Sequence, residues 1–238
     1  MDNNKKELKK GLTATQDNQL IEACYSMTLN EKRLLLLGIA KVNPNDFPDV
    51  NKPFRFEITA KEWAEQFDDS NPWQTLKRAG KKLMSRTVIL HPKTGADEII
   101  LNWFDSIELF KRQGKMLIQF TRSVQTRLAG MLEQFTTIDL LSVAELSSVH
   151  SVRLYELISQ FKSTGYRKIS LEDFRFSMDC VNRYPTTQKL KQKVLNPAIA
   201  QVNEKSDLWC KVKDVKDGRS IIGFEFQIIP QEQKNLFE

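Results

Sequence analysis

One order of local signals is written twice along this chain, and few folds accept it. From Arg153 an amphipathic run carries Leu154, Tyr155, Leu157, Ile158 and Phe161 at helical spacing and stops at Gly165. Ser170-Leu171-Glu172-Asp173 then reads as a capping-box variant, in which a hydroxyl and an acid three residues later satisfy orphaned backbone amides. Phe174 and Met178 form the apolar side of the short helix that follows. After the Tyr184-Pro185 turn, Leu190, Val194, Ala198, Ile199 and Val202 repeat at helical spacing on a lysine-rich helix. Two alternating runs, Leu208 to Val215 and Ser220 to Ile229, flank Lys216-Asp217-Gly218-Arg219, a strong hairpin signal.

A looser copy begins at Arg33. A leading helix, capped by Thr28 or Asn30, runs through Leu34, Leu35, Leu37 and Ile39, and the proline-rich stretch Asn43 to Pro53 reads as a loop. Phe54 to Ile58 alternates like a strand and enters the capping box Thr59-Ala60-Lys61-Glu62, which places Trp63, Ala64 and Phe67 inward. The next helix turns Leu76, Ala79, Leu83 and Met84 inward and a row of cations outward. Strand-like runs follow at Thr87 to Leu90, Glu98 to Phe104 and Lys115 to Phe120, then a helical stretch from Ser123 to about Glu133.

Helix, helix, basic helix and two-stranded ribbon in that order describe a winged helix-turn-helix, whose third helix enters the major groove while the ribbon touches backbone. Two such units predict an α+β protein with two tandem winged-helix domains (helix-turn-helix plus β-hairpin), pseudo-symmetric along the chain. The expected divisions are a flexible basic arm at 1–18, a first winged helix at 19–135, a second at 136–230 and a short tail at 231–238. No Pro/Gly-rich linker marks the boundary near Phe135 to Asp139, so the units are expected to pack with limited freedom.

Composition narrows the function. The net charge of +6 mildly favours a polyanionic partner. No apolar run approaches the roughly 20 residues that span a bilayer, and the N-terminal Lys5, Lys6, Lys9 and Lys10 lack a signal peptide's apolar core, so a cytoplasmic protein is expected. Cys24, Cys180 and Cys210 are far apart, and His91 and His150 are isolated from them, which argues against a metal site and for core thiols. Phosphate-binding glycine loops, zinc-hydrolase and nucleophile-elbow motifs are missing, so neither catalysis nor a cofactor is expected.

The cations are placed where a DNA reader needs them. Lys189, Lys191 and Lys193 lie along the long helix, with Arg183 before it and Lys216 and Arg219 at the ribbon's tip. Thr187, Gln188, Gln192 and Asn196 supply polar groups near the helix start, and Asn or Gln pairs bidentately with adenine. Pro197 inside this helix predicts a kink. In the first unit Lys77, Arg78, Lys81, Lys82 and Arg86 are denser but poor in amides, which suits backbone anchoring. A solvated polar face is the alternative for both sets. Leu117, Ile118 and Phe120, in the run Lys115 to Phe120, are candidates for an exposed dimerisation edge, with a core strand as the alternative.

Taken in order, Ser151-Val152-Arg153-Leu154-Tyr155-Glu156-Leu157, Ile169-Ser170-Leu171, Leu190-Lys191, Val194-Leu195-x-Pro197-Ala198, Val202-Asn203 and Gly218-Arg219 resemble a plasmid replication initiator of the iteron-binding Rep family with two winged-helix domains. Asn18-x-Leu20-Ile21-x-Ala23 and Glu31-x-Arg33-Leu34-Leu35 resemble that family's opening, so the similarity covers nearly the whole chain after residue 18. The resemblance implies a bacterial, plasmid-associated protein whose monomer binds directly repeated origin sequences, opens AT-rich DNA and recruits host DnaA and the replicative helicase. It also implies a homodimer, joined through the first domain, that represses its own promoter. The main major-groove contacts would fall on Lys189, Lys191, Gln192, Lys193 and Asn196, with lysines where the family often has arginines. A winged-helix transcriptional repressor without a replication role, and a module docking an acidic protein, are the competing readings.

Overall fold

Local capping chemistry sets the element boundaries in the first half of the chain. In the computed structural model, residues 11–42, 52–91, 96–129 and 135–236 are described; Met1 to Lys10, the larger part of the expected arm, and much of the loop at 43–53 lie outside them. Strand β1 (Thr13–Asp17) leads into α1 (Asn18–Glu22), and Thr28 opens α2 (Leu29–Ala40) through a complete capping box with Glu31. β2 (Arg55–Thr59) passes into α3 (Ala60–Phe67), where Thr59 and Glu62 form the second complete box. Pro72 occupies the first turn of α4 (Pro72–Leu83), a position where its missing N–H costs nothing.

Helix α2 is apolar nearly all round because it is surrounded. Leu34, Leu35, Leu36, Leu37 and Ile39 are all buried, with α4, β1 and later helices packed about them. Gly38 permits the closest approach: a Cβ there would lie 2.5 Å from the ring of Phe56 on β2.

Among the described residues, four strands stand between α4 and the next helix, where three are expected. They are β3 (Thr87–Leu90), β4 (Ile99–Asn102), β5 (Phe104–Phe110) and β6 (Lys115–Phe120), and α5 (Arg122–Ala129) comes next. The run read as one strand through Phe104 is interrupted at Trp103, whose side chain is fully buried. β5 escapes a periodicity reading because a register shift between Phe104 and Ser106 breaks its alternation.

The dimer edge assigned to Leu117, Ile118 and Phe120 is corrected by the sheet order β2-β6-β5. β6 is the central strand, hydrogen-bonded to β2 on one side and β5 on the other, so it has no free edge. Met116, Ile118 and Phe120 point into the core, with Phe120 stacked among Phe54, Phe56 and Phe104.

A second correction concerns the arm. Thr13–Asp17 pairs antiparallel with β7 (Phe135–Asp139), the segment expected to be an inter-unit boundary. The sequence hides this strand because its inward residues are Ala14 and Gln16, neither of them a strong apolar marker. After α6 (Leu140–Glu145) and α7 (Val149–Ser159), the second unit repeats the first: β8 (Tyr166–Ser170), α8 (Leu171–Ser177), a long helical rod, β9 (Leu208–Asp217) and β10 (Ser220–Pro230). Its sheet order, β8-β10-β9, is that of β2-β6-β5. The duplicated pattern is therefore a duplicated topology, with β5–β6 and β9–β10 as the two wings and β3–β4 an additional ribbon.

The rod consists of α9 (Thr187–Leu190), one π-helical turn at Lys191–Leu195 and α10 (Asn196–Lys205). Pro197 cannot donate to the carbonyl one turn back, and the preceding turn widens so that the Asn196 N–H reaches Lys191 O. Leu195 and Asn196 keep helical dihedrals, so the proline is absorbed by a π turn within a continuous helix. Buried side chains of both units form one continuous apolar core.

Candidate nucleic-acid interface

The rod's first half presents its polar residues outward. Thr186 caps α9 by accepting from the Lys189 N–H at 3.2 Å. Gln188, Gln192 and Asn196 recur every four residues, share one side of the rod and are exposed. With Lys191 and Ile221 they line an open cleft of about 420 Å³ between rod and wing. Lys189 and Lys193 are exposed beside them, whereas Thr187 is half-buried.

Lys191 behaves differently from the other two lysines. Its Nζ lies 2.6 and 2.7 Å from the two carboxylate oxygens of Asp214 on β9. That pair ties the rod to the stem of the wing and orients one against the other. At the tip, Gly218 takes the left-handed conformation (φ +56°) that the hairpin turn demands, and Lys216 and Arg219 project into solvent.

The loop before α9 is stapled from behind. Arg175 donates to the carbonyls of Cys180, Arg183 and Tyr184 at 3.1, 2.9 and 3.0 Å, which holds Tyr184 in a left-handed conformation (φ 55°). Arg183 itself is largely exposed and approaches Asp179 at 3.6 Å.

In the first unit Arg78, Lys81 and Lys82 are exposed on α4, and Lys77 is half-buried. Arg86 does not join their open face: its Nε lies 2.8 Å from Oε2 of the fully buried Glu31, pinning the end of α4 to the start of α2. The sequence reading missed Lys111 and Arg112, which are exposed at the tip of the β5–β6 wing beside left-handed Gly114. Their signal was the Lys111-Arg112-Gln113-Gly114 turn, whose meaning depended on recognising β5.

Among the described residues, no group of three or more His, Cys, Asp or Glu is placed to hold a metal ion. Burial pushes all three thiols up, Cys24 and Cys180 to about 11 and Cys210 to about 12. Among the described residues no helix is long and apolar enough to cross a membrane.

Two winged helices in tandem, each with a cation-bearing third helix and a cation-tipped ribbon, define a DNA-binding protein. The family described as Initiator Replication protein, WH1, matches residues 13–159, and its companion, Initiator Rep protein, WH2, matches residues 170–228. The chain belongs to this replication-initiator family.

Among curated relatives, an uncharacterized 27.6 kDa protein of Escherichia coli is 28% identical, over 95% of this chain and 98% of its own length. A replication initiation protein of E. coli is 27% identical over 94% of this chain and 72% of its own. The crystal structure of Pi initiator protein in complex with iteron DNA shares the fold, with a TM-score of 0.77 at 23% identity, over 93% of this chain and 98% of that one. The first family match ends at residue 159 and the second begins at residue 170. Helix α7, which closes the first matched span, packs against α10 and also against α1 and α2.

Proposed function

We propose that this chain is a plasmid replication initiator whose monomer binds directly repeated origin sequences, iterons, and promotes opening of adjacent AT-rich DNA. In this reading it recruits host DnaA and the replicative helicase, while a dimeric form represses its own promoter. Membership of the initiator family supports this, as does a fold shared with a protein solved on iteron DNA. The observation that carries the DNA assignment is the cleft where Gln188, Gln192 and Asn196 stand together between rod and wing.

In this reading the second unit reads sequence through those amides, and Lys189, Lys193, Lys216 and Arg219 hold phosphates around them. The first unit grips backbone through Arg78, Lys81 and Lys82, with Lys111 and Arg112 of its wing beside them. Dimerisation belongs to the first unit through a surface other than β6.

The test is genetic and biochemical. A plasmid deleted for this gene should fail to replicate, and footprinting should find tandem sites spaced by about two helical turns. Normal replication with deregulated transcription would favour a winged-helix repressor instead. Alanine at Gln192 or Asn196 should relax base preference by about 1–3 kcal/mol at one position with little change in salt dependence.

A further inference from the structure

The cleft between rod and wing holds one residue that amide chemistry does not explain. Gln188, Lys191, Gln192 and Asn196 line it from the rod, and Ile221 lines it from the wing. Ile221 is half-buried: it packs against the apolar core and still faces the open cleft among polar groups. A core residue would be fully covered there, and a solvated one would be polar.

A bulge in the wing puts it there. Ile221 pairs with Lys216 and Gly223 with Val215, and the register skips Ile222. Side chains of a regular strand alternate, so those at 221 and 224 would face opposite sides of the ribbon. The extra residue reverses that alternation. Phe224 is fully buried, Ile221 joins it on the side of the rod, and Ile222 is left 49% exposed. Gly223 fixes the bulge in place, because a Cβ there would lie 2.5 Å from the Ile169 carbonyl oxygen on β8. Asp214, opposite Phe224, holds Lys191 of the rod at 2.6 and 2.7 Å, which sets the spacing between Ile221 and the amides.

Phosphate is not the group this side chain meets. Lys216 and Arg219 carry charge at the wing's tip, whereas an isoleucine has no hydrogen bond or charge to offer a phosphate. In a major groove, an apolar side chain is complementary to the C5 methyl of thymine. The neighbouring amides suit the partner base, since Asn and Gln pair bidentately with N6 and N7 of adenine. Every A·T pair presents the methyl and those two groups in the same groove.

We propose that Ile221 packs on the methyl group of a thymine read in this cleft, and is a specificity-determining residue for an A·T pair. The assignment rests on the DNA-binding reading above and adds to it the base that the wing recognises. An amide of the rod takes an adenine edge, and the wing takes a thymine methyl.

The experiment removes that methyl and nothing else from the DNA. The intact chain selects its preferred duplex from a random-sequence pool, and the duplex is remade with deoxyuridine for thymidine, one position at a time. Uracil keeps the hydrogen-bonding edge of thymine and lacks only the C5 methyl. One replacement should weaken binding by the parent about fourfold, the worth of burying one such carbon. Ile221→Ala should bind the thymine and uracil duplexes alike at that position, and Ile222→Ala should keep the parent's preference. The ratio of the two affinities is read within one protein, so any unfolded fraction of Ile221→Ala cancels from it. A parent indifferent to every replacement overturns the proposal while its sequence preference upholds the DNA reading. An Ile221→Ala chain that keeps the parent's preference also overturns it, because another residue then reads the methyl. If the parent selects no sequence from the pool, the reading of bases by this cleft falls with it.

Discussion

Lys32 of α2 and Glu156 of α7 form an ion pair of 2.6 Å with neither side chain reaching solvent. The pair is completed by Gln16, which donates to the same Glu156 oxygen at 2.6 Å, and by Tyr25, whose hydroxyl accepts from Lys32 at 2.5 Å and from Arg153. Arg153 also lies over the Tyr25 ring, 4.2 Å from its centroid, and reaches Glu156 at 3.2 Å. Strand β1, the α1–α2 connector, α2, α7 and the end of α8 thus meet in one buried polar cluster, with both units' helices built around it.

Removing one member should be costly. Glu156→Ala leaves Lys32 and Arg153 buried with too little negative charge, and a loss of about 3–5 kcal/mol is expected. Denaturant unfolding measures it. The paired replacement Lys32→Met with Glu156→Leu should recover only the part of the loss that comes from Lys32, since Arg153 still lacks its carboxylate, and no recovery at all would show that Arg153 and the cluster's hydrogen bonds carry the stability.

The same cluster predicts a pH signature. Burial depresses the Lys32 ammonium from 10.5 to about 8, Glu156 opposing the shift and Arg153 adding to it. Between pH 8 and 10.5 the unfolded chain keeps this proton and the folded chain releases it, so stability rises with pH through that window. The parent chain should therefore gain stability relative to Lys32→Met between pH 8 and 10, measured by unfolding at each pH. A flat difference would refute the depressed value.

The three thiols act in the opposite direction. Their folded pKa values lie above the ordinary value of 9.0, at about 11 to 12. Above pH 9 the unfolded thiols ionise while the folded ones remain protonated, so stability falls as pH rises, and Cys→Ala at all three positions should flatten that fall. In the native state at pH 8, Cys180 and Cys210 should resist a thiol reagent until denaturant is added.

Lys191 and Asp214 should couple in a double-mutant cycle by about 1 kcal/mol, a part-exposed pair screened by solvent. Asp214→Ala frees the lysine's charge and should raise non-specific affinity for duplex DNA at low salt. Lys191→Ala should lower it less than Lys189→Ala does. Equal losses at both lysines would place Lys191 directly on the phosphate backbone.

Ile118→Lys distinguishes a core strand from an edge. With Ile118 fully buried at the centre of the β2-β6-β5 sheet, the substitution should abolish cooperative folding, seen by circular dichroism and melting. A folded, monomeric Ile118→Lys protein would be incompatible with this sheet order.

Much of the fold was legible because its signals are local. The capping box at Thr59, the Ser170 hydroxyl cap, the Asp217-Gly218 turn and the spacing of Leu190, Val194, Ala198 and Val202 each constrain a few neighbouring residues, and their order names the winged helix. The exposed amides Gln188, Gln192 and Asn196 were legible for the same reason, since a helix presents every fourth residue on one side. β5 was not, because a register shift erased its alternation, and β1 was not, because Ala14 and Gln16 carry little hydrophobic signal.

By itself, then, the sequence determined two helix-turn-helix units with basic third helices and hairpin wings. Tertiary structure alone decided which cations are open to a ligand and which are consumed: Lys189 and Lys193 stand free of the wing, while Lys191 is held by Asp214, Arg86 by Glu31 and Lys32 by Glu156. It also decided that β6 lies inside a sheet rather than at its edge. The reason is physical. Capping, turn geometry and helical periodicity act between residues a few positions apart, whereas strand neighbours and buried ion pairs join residues far apart in the chain, whose meeting is set by the packing of the whole core.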